Sequence, residues 1–378
     1  MAALLMVFLP VVFCPLNPVE ILPHCCKVLP KLNKSLTKKG KKMSTDNNRQ
    51  WRLKERPQGM VAPSNFEYSE QAIPEPGEGE VLVQNLYLSF DPTFRGQMVD
   101  RPSYVAPMQL GEVMRGGSGG RVVASNNARF QVGDLVSGAG GWQDYFVAGS
   151  NDVLSLSKLA EGVSIPNALS IFGITGLTAY FGLLDIGQPK AGDTVLVSGA
   201  AGATGSVVGQ IAKLKGCRVI GIAGGQEKCN WLKREAGFDE TIDYKSENVY
   251  QRIRQLCPAG VNVHFENVGG EILEAALGSL AMNARVVLCG GISSYNSEQA
   301  PPGPNSLMNL VITRSRIEGF IVLDYAEQFP RAVKELAQWM SEGKLVSQED
   351  IQQGLENAPQ TFMRLFNGKN RGKQILKL

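Results

Sequence analysis

A chain of 378 residues has the length for about two domains, at roughly 150 residues each. Hydrophobic residues at 43% and charged residues at 19% describe an ordinary soluble globular protein with ample core. The formal net charge of +3 is too small for a nucleic-acid footprint, and much of it sits between Lys31 and Lys42.

The first 42 residues differ in composition from the rest of the chain. Met1–Phe13 is apolar but shorter than the roughly 20 residues of a membrane span. It lacks the basic start and the small-residue cleavage site of a secretory signal. The basic run KLNKSLTKKGKK then precedes Met43. Residues 1–42 are expected to be a disordered extension upstream of the functional polypeptide, with a targeting or anchoring role as the alternative. None of the seven cysteines forms a C-x-x-C, which suits free thiols in a reducing compartment and points to the cytoplasm.

Residues 43–165 read as a β-rich domain. EVLVQNLYLS alternates β-branched and polar residues over 80–89, and GGSGGRVVAS and DLVSGAGGWQDYFVA are short strands punctuated by glycine. Residues 166–343 change character. A helix-like run, NALSIFGITGLTAYFGLLDIG, leads to the strand TVLVS, a glycine turn, the helix SVVGQIAKLKG and the strand CRVIGIA. Further helices are predicted over 227–236, 249–256, 271–280 and 329–342, and further strands over 240–242, in VNVHFENVGG and in RVVLCGG. Strands alternating with helices predict a doubly wound parallel sheet, an α/β fold. The closing strand GKQILKL makes 344–378 a return to the first domain.

Gly199, Gly202 and Gly205 stand between a strand and a helix with G-x-x-G-x-x-G spacing. Such a turn gives a sharp bend, close approach of backbone to a diphosphate and a helix N-terminus aimed at the anion. The alternative is a purely structural turn. The next strand ends in Ala223-Gly224-Gly225, where dinucleotide folds often place an acid that grips the ribose. The small residues leave room for a 2′-phosphate, Lys228 is placed to neutralise it, and Tyr244 is placed to hydrogen-bond it. These features predict NADPH as the cofactor in preference to NADH. A solvated helix-face charge is the other reading of Lys228.

No metal is expected. A catalytic zinc takes three protein ligands, and no histidine or cysteine occurs between Met43 and Pro166. Of the two histidines, His264 is expected at a partly buried strand edge. With no G-x-S-x-G and no Ser-His arrangement, hydride transfer by a cofactor is the chemistry left.

SGAAGATGSVVGQIAKLKGC, FENVGG, LCGGISSYN, EGFIVL and GLENAPQTFMRLFNGKNRGK resemble the zinc-independent medium-chain reductases. Within them the chain is similar to the leukotriene hydroxydehydrogenase and prostaglandin reductase family, and YLSFDPTFRGQM, RPSYVAP and GWQDY resemble its bacterial curcumin-reductase branch. The resemblance runs from about Arg49 to Leu378. It implies a Rossmann domain beside a GroES-like catalytic domain, a homodimer, and reduction of α,β-unsaturated ketones and aldehydes with NADPH. It also implies cofactor contacts at Thr204, Gly205, Ser206 and Val207, at Lys228 and Tyr244, at Asn267, and at Cys289, Gly290 and Tyr295. Phe320, Ile321, Val322 and Asn370 complete that set, and Trp142 and Tyr145 are expected to line the substrate cleft. Where the family usually reads D-P-Y-M-R, this chain has Asp91-Pro92-Thr93-Phe94-Arg95.

Reducing an enone at its β-carbon builds negative charge on the carbonyl oxygen, which a hydroxyl donor stabilises. Tyr295 is the first candidate, because its loop leaves the carboxyl end of a strand, where open α/β sheets bind ligands. Tyr104 is the second, and packing is the plain reading of each. The substrate is expected to be small, flat and apolar, with neither nucleic acid nor membrane as partner. A quinone reductase is the rival among enzymes, and a cofactor-binding regulator without turnover is the rival outside them.

Overall fold

The computed structural model describes residues 47–149, 156–299 and 302–378. The extension read over residues 1–42 lies outside the described residues. Six strands form one sheet in the order Glu240–Asp243, Arg218–Ala223, Thr194–Val197, Val261–Glu266, Leu280–Leu288 and Arg316–Gly319. Every pairing in it is parallel. Its central strands are continuous apolar runs because both faces are covered. Val195 and Val197 enter one apolar cluster with Val207 and Ile211 of the helix Ala203–Leu214. Leu196, between them, enters another with Ile220, Ile242 and Ile253. This period of two, with both faces buried, is what the helical crossovers Gln226–Arg234, Val249–Leu256 and Gly270–Leu277 produce.

The chain enters this sheet at Thr194–Val197, builds outward twice, then returns to lay Val261–Glu266 on the other side. That reversal opens a crevice at the carboxyl ends of these two strands, where open sheets hold their ligands. His264 belongs to the second of them. It is central and completely buried, which corrects the expectation of a partly exposed edge histidine.

The β-rich domain holds a seven-stranded sheet in the order Glu349–Gln353, Lys373–Lys377, Val81–Ser89, Ser118–Ser125, Leu135–Gly138 and Ser157–Lys158, with Tyr145–Ala148 also paired to Val81–Ser89. The last strand of the chain thus runs antiparallel to Val81–Ser89, with Ile375 opposite Ser89. Its core gathers Leu53, Phe66, Phe90, Met114, Trp142 and Phe362. Each such side chain contributes roughly 1.5–3 kcal/mol when fully buried.

The run predicted as one helix after Pro166 is broken. Ile165–Leu169 and Ile174–Phe181 are separate helices, and Gly182–Gly187 continues the second as a wider π-type turn. The break falls at Ser170, whose Oγ lies 3.0 Å from Ser347 Oγ and donates to Glu349 Oε1 at 2.8 Å. Tertiary hydrogen bonding to the returning C-terminal segment overrides the local helical pattern there.

Candidate active site

At the end of the strand Thr194–Val197 the backbone turns through Gly199, whose φ of +57° suits glycine. Gly202 donates to Gly199 O at 2.9 Å, and the helix Ala203–Leu214 starts at once. A Cβ on Gly205 would stand 2.5 Å from Gly199 O, so the helix meets the turn only without a side chain there. The amides of Ala203, Thr204 and Gly205 belong to the first helical turn, whose N–H groups have no intrahelical acceptor. They end on a concave glycine surface at the positive end of the helix dipole, which fits a diphosphate.

Gly199, Gly202, Thr204 and Gly205 line a cavity of about 1650 Å³ that runs between the two domains. Ser206 and Val207 do not line it. Ser206 N already donates to Gly202 O at 3.1 Å, and the Val207 side chain turns into the core. The cavity lining therefore ends at Gly205, because the helix rotates about 100° per residue away from the crevice.

At one end of the cavity lie Ala223, Gly224, Lys228 and Tyr244. A Cβ on Gly224 would stand 2.8 Å from the Tyr244 ring and hydroxyl, so glycine lets the phenol lie over the strand end. The nearby acid, Asp243, spends its Oδ1 on the amides of Gly225 at 2.7 Å and Lys245 at 3.1 Å. Lys228 is half-buried and donates to Gly368 O at 2.8 Å. Burial and the like charge of Lys245 hold its pKa below the ordinary lysine value.

Asn267, Cys289, Gly290, Tyr295, Phe320, Ile321, Val322 and Asn370 line the same cavity. Asn267 is fixed by Ser198: its backbone N donates to Ser198 Oγ and its Nδ2 to Ser198 O, both at 2.7 Å. Beneath it Glu266 accepts from Ser198 Oγ at 2.6 Å and from the amides of Val268 at 2.5 Å and Gly269 at 2.8 Å. His264 Nε2 lies 2.7 Å from the other carboxylate oxygen of Glu266, and Nδ1 lies 3.2 Å from Leu196 O. Burial pushes the Glu266 carboxyl up, but His264 and these donors outweigh it and leave it below its ordinary value. Burial beside Glu266 pushes the Cys289 thiol up to about 12, so it stays protonated.

Tyr295 reaches the cavity from the cofactor domain and Tyr104 from the β-rich domain. Gly291 N donates to Tyr295 Oη at 3.3 Å. Burial raises the pKa of Tyr295, and partial desolvation raises that of Tyr104, which stays 54% exposed, so both are protonated donors at neutral pH. Phe94, Val105, Leu159, Val163 and Phe172 add apolar walls. The volume exceeds the roughly 300–1,000 Å³ of a single-ligand site and suits two molecules side by side.

Trp142 and Tyr145 stand elsewhere, which corrects their expected place in the cleft. Trp142 is fully buried, with ring centroids 4.9 Å from Phe90 and 5.4 Å from Phe362. Tyr145 Oη accepts from Gln84 Nε2 at 3.2 Å on the paired strand and does not reach the cavity. The sequence also concealed a buried pair in the cavity wall. Lys373, 2% exposed, forms an ion pair with Asp91. Only the pairing of the last strand with Val81–Ser89 joins these two, so no local signal marks them. Among the described residues no group of three or more His, Cys, Asp or Glu is placed to hold a metal ion.

Two family models match: an N-terminal domain of oxidoreductase over residues 49–156, and a zinc-binding dehydrogenase over residues 203–338. The NADPH-dependent curcumin reductase of Escherichia coli is 45% identical over 88% of this chain and 97% of its own. The chain belongs to the medium-chain dehydrogenase/reductase family. Within that family it groups with the curcumin and prostaglandin reductases. A 2-alkenal reductase (NADP(+)-dependent) from Nicotiana tabacum is 40% identical to this medium-chain reductase over 80% of the chain and 88% of its own. The crystal structure of CurA in complex with NADPH from Vibrio vulnificus superposes with a TM-score of 0.83 at 44% identity, covering 87% of this reductase and 98% of that chain.

Proposed function

We propose that this medium-chain reductase is an NADPH-dependent oxidoreductase that reduces the carbon–carbon double bond of α,β-unsaturated ketones and aldehydes. One observation carries the reading: an apolar cavity joins a diphosphate-shaped glycine turn to two protonated phenols on opposite walls. Bound NADPH supplies the hydride for the β-carbon. Lys228 and Tyr244 hold its 2′-phosphate, and the amides at Thr204 and Gly205 hold the diphosphate. Tyr295 donates to the carbonyl oxygen as enolate charge develops, Tyr104 supports it from across the cavity, and solvent supplies the α-proton. The apolar walls exclude water and favour a flat substrate. No metal takes part.

Among the described residues no helix is long and apolar enough to cross a membrane, and the chain works in the cytoplasm. It works as a homodimer. Leu307, Met308, Val311 and Ile312 are between 46% and 67% exposed on one helical face, beside the unpaired outer edge of the strand Arg316–Gly319. A second copy laid antiparallel about Ile317 would set Arg316 against the partner's Glu318 and the reverse, a self-complementary edge.

The test is NADPH oxidation against a panel of enals, enones and quinones, with metal analysis of the active protein. Enone and enal turnover without stoichiometric zinc is expected. Turnover of quinones alone would replace the reading with that of a quinone reductase, and no turnover would leave a cofactor-binding regulator. Light scattering of wild type and Val311→Glu should show a dimer and a monomer respectively; a monomeric wild type would overturn the assembly.

A further inference from the structure

Arg95 carries a buried charge that the proposed chemistry does not use. It lies in the short helix Phe94–Gln97 of the β-rich domain and is 3% exposed. Its Nε donates to Asn296 Oδ1 at 2.9 Å, and its Nη2 donates to Gly59 O at 2.9 Å and to Pro57 O at 3.3 Å. Arg49 and Arg364 each have a carboxylate at 2.7 Å, from Asp144 and Asp350. Arg95 has none: among the described residues no carboxylate forms an ion pair with it. Burial and the like charge of Arg101 hold its pKa below the ordinary arginine value.

Burying a cation without an anion costs several kcal/mol, and a well-packed apolar residue would be cheaper. What the guanidinium gains is geometry. Its rigid fork meets three acceptors at once, which a lysine ammonium on a flexible stem would not. Two of these acceptors belong to the turn at residues 57–59 of the β-rich domain, and the third lies across the cleft. Asn296 comes directly after Tyr295, at the end of a loop closed by Tyr295 N to Ile292 O at 3.3 Å and Ser294 N to Gly291 O at 2.9 Å. The helix that bears Arg95 also sends Phe94 and Gln97 to the cavity wall, and Thr93 just before it joins them. One side chain thus ties the wall of one domain to the loop that carries the phenol of the other.

We infer that Arg95 is a positioning residue: by holding Asn296 across the domain cleft it sets where the hydroxyl of Tyr295 stands in the cavity. The inference rests on the donor role proposed for Tyr295. Arg95 does not line the cavity itself, so its effect runs through that phenol.

The test is a double-mutant cycle. Arg95→Met risks misfolding, so the cycle uses Asn296→Ala, which leaves the buried guanidinium and its two carbonyl partners in place. Asn296→Ala should lower kcat roughly 10-fold, as a displaced donor loses part of its effect. NADPH affinity, read by quenching of protein fluorescence, should stay within about twofold. Added to Tyr295→Phe, Asn296→Ala should cost nothing more, because the group it positions has already gone. Equal losses in both backgrounds would overturn the inference and leave Arg95 a structural clamp. Wild-type turnover of Asn296→Ala, with Tyr295→Phe impaired, would overturn it while sparing the role of Tyr295. Wild-type turnover of Tyr295→Phe itself would overturn both.

Discussion

Lys228 Nζ stands 2.8 Å from the carbonyl oxygen of Gly368, a residue of the C-terminal segment that returns to the β-rich domain. The bond fixes the direction of the ammonium and leaves two of its three donors for a ligand. Losing one charge-assisted contact to a phosphate costs about 1.5–3 kcal/mol, or roughly 10- to 100-fold in binding. Lys228→Ala should raise the KM for NADPH by that factor and leave NADH nearly unaffected. Equal loss with both cofactors would show that the lysine only ties the domains together. The pH dependence has a sign. The charged form lies below the pKa, and that pKa is under the ordinary 10.5, so NADPH preference should fade as pH rises before that value is reached.

Tyr295→Phe keeps the ring and its packing and removes one donor. If the Tyr295 hydroxyl shares the task with a ribose hydroxyl of the cofactor, kcat should fall about 10- to 100-fold, or roughly 1.4–2.7 kcal/mol, with NADPH binding nearly unchanged. The measurement needs a deuterated-cofactor isotope effect to show that transfer is rate-limiting. Tyr104→Phe, run alongside, should lose less. If the order is reversed, the main donor sits on the β-rich wall.

Glu266 holds up the floor of the crevice through Ser198, Val268 and Gly269 while facing His264. Glu266→Ala leaves buried donors unpaired and should cost about 3–5 kcal/mol, seen as a lower Tm. Because the folded carboxyl sits below its ordinary 4.5, its contribution is full above that pH and is lost as pH falls through the folded value. Glu266→Gln removes that titration. Its urea midpoint should therefore vary less than the wild type's below pH 4.5; parallel curves would exclude Glu266 as a source of acid lability.

The cofactor domain was legible because its signals are local. Val195, Leu196 and Val197 divide between two apolar clusters by simple alternation, and the glycine turn lies between a strand and a helix that both read plainly. The place of Lys228 in the cavity lining was legible for the same reason, since the strand before it ends in small residues. Trp142 was not, because its motif says nothing of side-chain direction, and here the ring packs on Phe90 and Phe362. The place of His264 depended on strand order, which one strand cannot reveal. Asp91 with Lys373, and Arg95 with Asn296, are pairs made by tertiary structure alone.

Gly372 N donates to Ala201 O at 2.8 Å, and the strand directly after it completes the sheet of the β-rich domain. The residues that finish the first domain are therefore synthesised only after the whole of the cofactor domain. The parallel sheet can form from contiguous chain while synthesis continues, whereas the β-rich sheet waits with its Val81–Ser89 edge open. A chain ended before Glu349 should keep a protease-resistant cofactor domain and lose resistance in the β-rich one. Equal resistance in both halves would mean that the late strand is dispensable for assembly. In the folded protein Gly372, just before the same late strand, holds the glycine turn, so the finished cavity wall and the anchored turn arrive in one closing step of biogenesis.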